Sequence, residues 1–303
     1  MSAPKRFLLV LIVAMTSIAV SIGPDGLAGS TTPVTPDSGC VAESQTADLD
    51  QAYANTSSDP NLTAVDVYGP DLPEGCPAAP ILFYVHGGGW QTGDKVRQLA
   101  SKRQLALEQG WVLVSVNYRL VPEVVYPVPN QDVADAIGWT LDHAADFHAD
   151  PQRVAIMGHS AGAGIIAAAA TDGRYLHNAG YDLTDLDCAV SLDTEAYDIA
   201  ARAGDGGIYD AMFGTDPSAW PDASPITHVA EGTGIPDFFI VTRGGPTRVT
   251  SAMDFADTLA AAGVPVDLID VDLTHAGVNA AVGDPSDTQI MPELIAFLDA
   301  CYA

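Results

Sequence analysis

Ser160 stands in Gly158-His159-Ser160-Ala161-Gly162, and a serine hydroxyl becomes a useful nucleophile only where its surroundings activate it. The apolar run 154–157 before it reads as a buried strand, and the small residues 163–170 after it suit a helix packed close against a sheet. Gly-x-Ser-x-Gly in the order strand, turn, helix predicts a tight turn that projects the hydroxyl. Positions two places either side of the serine can then carry almost no side chain, and glycine meets that demand. The backbone N–H of Ala161 would face an oxygen gaining negative charge during attack on a carbonyl. Upstream, the apolar run 81–85 leads into His86-Gly87-Gly88-Gly89-Trp90. The N–H groups of Gly87 and Gly88 would add donors for the same oxygen. In a chain with 28 glycines the first pattern alone is weak evidence. The two patterns together, in this order and each after a strand-like run, are strong evidence for acyl-transfer chemistry.

The elements that must position these residues follow from hydrophobic periodicity. Residues 62–68 alternate apolar and polar as an edge strand does. Runs 81–85, 111–116, 154–157, 188–192, 238–242 and 266–273 are short and apolar, and helical patterns fall at 94–109, 131–147, 248–262 and 289–301. Continuous apolar strands alternating with helices predict an α/β fold, a mostly parallel twisted sheet with helices on both faces. Residues 194–235 interrupt the rhythm with many Gly, Asp and Pro, and carry Tyr209, Phe213 and Trp220. They read as a small cap or pocket-wall insertion. Trp90 and these aromatics would shape a substrate pocket.

Composition narrows the function. The formal net charge is −27 and hydrophobic residues make up 48% of the chain, which excludes a mainly disordered protein and argues against nucleic acid or an anionic membrane surface as partner. Lys5 and Arg6 precede an apolar stretch at 7–22, and Gly26-Leu27-Ala28 offers small residues for cleavage. Residues 1–28 therefore read as an export signal, short for a stable membrane span, with an uncleaved anchor as the alternative. The reading is a secreted protein, with the periplasm or the cell surface as alternative destinations, that has a mobile lead-in at 29–61 and one catalytic domain at 62–303. Export makes disulfides the expected state of Cys40, Cys76, Cys188 and Cys301. Cys188 opens a parallel strand and Cys301 ends a helix running back from the sheet's top, so Cys188–Cys301 and Cys40–Cys76 are the favoured pairs. No Cys-x-x-Cys occurs, so no zinc or thioredoxin-like site is suggested.

Three segments together, His86-Gly87-Gly88-Gly89-Trp90, Asn117-Tyr118-Arg119-Leu120-Val121-Pro122-Glu123 and Gly158-His159-Ser160-Ala161-Gly162, resemble the α/β-hydrolase superfamily. Within its esterase/lipase group they are similar to the hormone-sensitive-lipase-like branch, and the Gly-His-Ser-Ala-Gly form to the feruloyl-esterase and kynurenine-formamidase-like branch. The resemblance spans about residues 62–302. It implies the α/β-hydrolase fold and hydrolysis of a small-molecule ester or amide through an acyl-enzyme, with no metal or cofactor.

In that fold the chain order is nucleophile, acid, histidine. Of the histidines after Ser160, His177 lies in a polar segment and His228 before a glycine loop, whereas His275 directly follows the last strand. His275 is the expected base. The family usually takes its acid just after the strand ending at Arg243, yet Arg243-Gly244-Gly245-Pro246-Thr247-Arg248 holds no carboxylate. The loop after 188–192 offers Asp193, Glu195 and Asp198. Asp193, at the strand's end, is the favoured orienting acid, with Glu195 and Asp198 as alternatives. The resulting expectation is a secreted serine esterase. An amidase, formamidase or small peptidase on the same residues, or a binding protein whose acid has decayed, stand as alternatives.

Overall fold

The computed structural model describes residues 40–42 and 44–303. The expected export signal at 1–28 lies outside them. Eight strands form one sheet in the order β1-β2-β4-β3-β5-β6-β7-β8. In chain order they are β1 (Gln45–Ala52), β2 (Ala64–Pro70), β3 (Ala79–Val85), β4 (Val112–Val116), β5 (Ala149–His159), β6 (Cys188–Leu192), β7 (Asp237–Arg243) and β8 (Val266–Val271). β1 with β2 and β2 with β4 pair antiparallel, and all other neighbours are parallel. The helices are α1 (Ala100–Gln109), α2 (Val128–Asp142), α3 (Ala161–Thr171), α4 (Arg174–Asn178), α5 (Ile208–Phe213), α6 (Trp220–Ala223), α7 (Pro246–Ala261), α8 (His275–Ala281) and α9 (Met291–Cys301).

Side-chain alternation along the strands sorts the core into two layers. Ile81, Phe83 and Val85 of β3, with Phe238 and Ile240 of β7, face α2, α3 and α7. Leu82, Tyr84, Phe239 and Val241 face the opposite way, toward α1, α8 and α9. Every residue of α3 is buried, which explains its alanines and glycines: only small side chains let a helix sit this close to the sheet. Among the described residues no helix is long and apolar enough to cross a membrane.

The first strands correct the sequence reading. Residues 45–52 of the expected lead-in form β1, and the sheet therefore begins before residue 62. β2 is consequently flanked on both sides rather than lying at the edge. The physical reason is that β1, Gln-Thr-Ala-Asp-Leu-Asp-Gln-Ala, is largely exposed. It is held by its backbone ladder to β2, which no apolar pattern announces. The helix expected over 94–109 starts only at Ala100, because residues 94–97 form a turn in which Asn117 Oδ1 accepts the Lys95 N–H. That expected at 131–147 divides into α2 and a 3-10 turn at Ala144–Phe147. Residues 194–235 hold only the short α5 and α6 and one 3-10 turn, Pro225–His228. Both disulfides have the favoured pairing: Cys40–Cys76, with Cα atoms 5.6 Å apart, and Cys188–Cys301, at 6.1 Å.

Candidate active site

The C-terminal ends of adjacent parallel strands deliver the site, the place where open α/β sheets present their ligands. β5 runs straight into Ser160, whose backbone adopts φ 57° and ψ −119° before α3 begins. A non-glycine residue held there costs about 1–3 kcal/mol and persists only when its surroundings enforce it. Here the Ser160 N–H donates to the Leu192 carbonyl at 2.9 Å, extending the ladder past the strand's end. A Cβ on Gly162 would lie 2.4 Å from the Val85 carbonyl oxygen, so the turn and the end of β3 can meet only at a glycine.

β3 ends in the glycine loop. A Cβ on Gly87 would lie 2.9 Å from Ser160 Cβ, which places that loop's backbone directly against Ser160. His86 stacks on Tyr118 with ring centroids 4.6 Å apart, and the Tyr118 hydroxyl donates to the His86 carbonyl at 3.1 Å. Arg119 in turn pairs with buried Asp132 at 2.6 Å. The segment 117–123 thus braces the loop from behind. Among the described residues no backbone carbonyl takes the N–H of Gly87 or Gly88. Ala161 is the first residue of α3, where an N–H has no helical partner.

His275 opens α8, with Thr274 capping the helix through the Gly277 N–H at 3.0 Å. Its Nε2 lies 2.9 Å from Ser160 Oγ and its Nδ1 2.5 Å from Asp193 Oδ2. Asp193 follows β6 with φ 53°, and its N–H donates to the Val241 carbonyl at 2.8 Å. The structure therefore brings together Ser160, His275 and Asp193. The alternatives lie elsewhere. Glu195 pairs with Arg248 at 2.8 Å and Arg202 at 3.4 Å, and Asp198 accepts the Ala201 N–H at 3.3 Å. The carboxylate-free loop after β7 does not leave His275 without an acid.

Two arginines complete the cluster. Arg243 Nε donates to Asp193 Oδ2 at 2.6 Å, and an Arg248 guanidinium nitrogen donates to Asp193 Oδ1 at 2.7 Å. Asp193 has no exposed surface. Burial pushes its carboxyl up, but hydrogen bonds from His275 and Arg243 and the charge of Arg248 outweigh that and hold it below the usual carboxylate range. Arg248 was not legible as a site residue, since it falls inside a helical pattern. A signal existed nonetheless: two arginines flank this loop in a chain with 12 basic residues. His159 was also missed. Its ring Nε2 bonds to the His275 carbonyl at 2.9 Å, and burial, then the adjoining His275, pull it down to about 4. A neutral imidazole thus ties the serine turn to the start of α8.

Two cavities flank Ser160 and His275. One, of about 360 Å³, is lined by Trp90, Ala161, Glu195, Arg202, Tyr209 and Arg248 among others. Trp90 meets Tyr209 and Phe213 edge-on at 5.4 and 5.2 Å. Trp220, expected beside them, does not line this cavity and donates its indole N–H to the Gly214 carbonyl instead. The other, of about 330 Å³, lies along Gly87, Gly88 and Gly89 and reaches Arg97 and Asn279. Among the described residues no group of His, Cys, Asp or Glu could hold a metal ion.

This fold, with a serine on a strained turn beside a histidine and a glycine loop, defines a class of hydrolases, and comparison with known proteins agrees. A family profile described as the alpha/beta hydrolase fold matches residues 82–276, and a carboxylesterase-family profile matches residues 28–123. Esterase LipI of Mycobacterium tuberculosis is 30% identical over 254 residues, covering 76% of this chain and 79% of that protein. Carboxylesterase NlhH of the same species is 32% identical over 228 residues, covering 68% and 69%. Esterase B from Lactobacillus rhamnosis shares the fold with a TM-score of 0.68 at 20% identity, over 86% of this chain and 87% of that one. The chain belongs to the α/β-hydrolase superfamily, in its esterase/lipase group, and is a serine hydrolase of the esterase type.

Proposed function

We propose that this protein cleaves carboxylic esters through an acyl-enzyme, with Ser160 as nucleophile, His275 as general base and acid, and Asp193 as the group that orients His275. The observation that carries the reading is the unbroken hydrogen-bond chain from Asp193 through His275 to Ser160, 2.5 and 2.9 Å long. His275 Nε2 takes the hydroxyl proton as Oγ attacks the ester carbon. The N–H groups of Gly87, Gly88 and Ala161 hold the oxyanion of the tetrahedral intermediate. His275 returns the proton to the departing alcohol, and water then repeats the cycle to release the acid. Asp193 stabilises the transient imidazolium and fixes its tautomer. No step calls for a metal or cofactor.

Trp90 and Tyr209 wall the substrate cavity, and residues 194–235 act as a pocket-wall insertion on a hydrolase domain. Residues 1–28 direct export, and the two disulfides support an oxidising destination outside the cell. The test is hydrolysis of a short-to-long series of p-nitrophenyl esters by the mature chain beside Ser160→Ala and Asp193→Asn. We expect activity to vanish in Ser160→Ala and to fall about 10⁴-fold in Asp193→Asn. Equal rates for wild type and Ser160→Ala on every ester would overturn the reading. A loss confined to Ser160→Ala would remove Asp193 from it.

A further inference from the structure

The placement of unpaired positive charge points to the kind of ester this site takes. Among the described residues every lysine and arginine pairs with a carboxylate except Arg97, Lys102 and Arg103. Arg103 is accounted for, lying 4.2 Å over the Tyr68 ring and donating to the Gln45 side chain. The other two bracket the cavity along the glycine loop. Arg97 lines it, and its guanidinium has no hydrogen-bond or ion-pair partner among the described residues.

Lys102 lies beneath the floor of the same cavity and is fully buried. Its ammonium donates to the Asn279 carbonyl at 2.8 Å and the Gln98 carbonyl at 3.3 Å, and lies 4.9 Å from the Tyr84 ring centre. Tyr84, Gln98 and Asn279 are all lining residues. Burial without a carboxylate pulls the amine down to about 7, so an anion in the cavity would favour its charged form.

No aspartate or glutamate lines this cavity. The cavity on the Trp90 side is the opposite case: its cations Arg202 and Arg248 are neutralised by Glu195 and Asp193. In a chain of net charge −27, a pocket lined by no carboxylate, with a free guanidinium at its wall and an unpaired ammonium under its floor, is a local exception to the surplus of acids. We propose that this pocket receives an ionised acid group, and that the preferred substrates are carboxylic esters carrying a second, anionic group, bound by Arg97. The proposal rests on the esterase reading above and names the substrate class of that site.

Matched esters test it, with the anion on either side of the scissile bond. 4-Nitrophenyl hydrogen adipate is compared with 4-nitrophenyl hexanoate, and the acetate ester of 4-hydroxybenzoate with that of 4-hydroxybenzamide. The readout is the ratio of kcat/KM, anionic over neutral, within each pair. We expect one ratio to be about tenfold in the wild type, as one charge-assisted hydrogen bond to an anion provides. Which pair shows it tells whether the acyl or the alcohol part occupies the pocket. Arg97→Gln should bring that ratio close to one, through KM, while Arg97→Lys keeps part of it. Because each variant is scored as a ratio, a general loss of activity cancels. Ratios at or below one for both pairs in an enzyme that hydrolyses the neutral esters would overturn the proposal and leave the esterase reading intact, as would a preference that survives Arg97→Gln. Hydrolysis of none of the four esters would overturn both.

Discussion

At the scale of single residues the unusual feature is an acid that answers to three donors. Asp193 Oδ2 accepts from His275 and Arg243, and Oδ1 from Arg248. The arginines do two things. They make a fully buried carboxylate tolerable, since an unpaired charge there would be severely destabilising. They also draw off part of the negative charge that would otherwise act on His275 alone. Removing Arg248 as Arg248→Met takes away a positive charge that disfavours the imidazolium, so the acid limb of the kcat/KM profile should move to higher pH. Asp193→Asn removes the negative charge and should move it lower. Opposite displacements in the two variants would mark the arginine as setting the base through the acid. An acid limb that stays in place in Arg248→Met would reduce that side chain to scaffolding. In either case Arg248→Met should cost less in denaturant unfolding than the ~3 kcal/mol of an uncompensated buried charge, because Arg243 still pairs with Asp193.

At the scale of elements, β6 carries both the acid at its end and a disulfide at its start, where Cys188 is joined to Cys301 at the end of α9. α9 packs Leu294 and Leu298 into the same layer as Val278 of α8, the helix that begins with His275. The bridge spans 113 residues of sequence, and closing a loop of that size stabilises by up to about 4.7 kcal/mol through the unfolded chain. The double variant Cys188→Ala/Cys301→Ala should therefore unfold at markedly lower denaturant while its kcat at 25 °C stays within about threefold, because the cost falls mainly on the unfolded side. A collapse of kcat at full folding would show that the bridge also holds α8 in place. The elements themselves were legible wherever burial on both faces makes a strand continuously apolar, as at 81–85 and 188–192. β1 was not, because its residues face solvent and its stability resides in backbone hydrogen bonds. The strained turn at Ser160 was legible because Gly162 must sit against the β3 carbonyls and leaves a local pattern. The acid cluster was only half legible: Asp193 after β6 meets Arg243 at the end of β7 and Arg248 in α7, 50 and 55 residues away in sequence, and no local spacing records that meeting.

At the scale of the whole molecule, charge is the dominant fact. With 39 acidic and 12 basic residues, most acids have no cation to pair with, and three of the scarce arginines (Arg202, Arg243 and Arg248) are committed to the acid cluster beside His275. The remaining carboxylates repel one another across the surface, and that repulsion is relieved when the chain expands. Salt acts on both sides of this balance: it screens the repulsion and it weakens exposed ion pairs. The exposed pairs are few, such as Arg174 with Asp222, and each such pair contributes at most about 1 kcal/mol. The buried pairs at Asp193 and Asp132 are screened much less. Repulsion should therefore win, and thermal unfolding in sodium chloride should shift upward between low and roughly physiological ionic strength, where the Debye length shrinks from about 30 to 8 Å. A gain of about 1 kcal/mol corresponds to a Tm increase of about 2–4 °C for a domain of this order of size. A Tm that fell with salt would mean that attractive pairs outweigh the surplus of carboxylates, and the acidic surface would then have to be arranged so that its like charges scarcely meet.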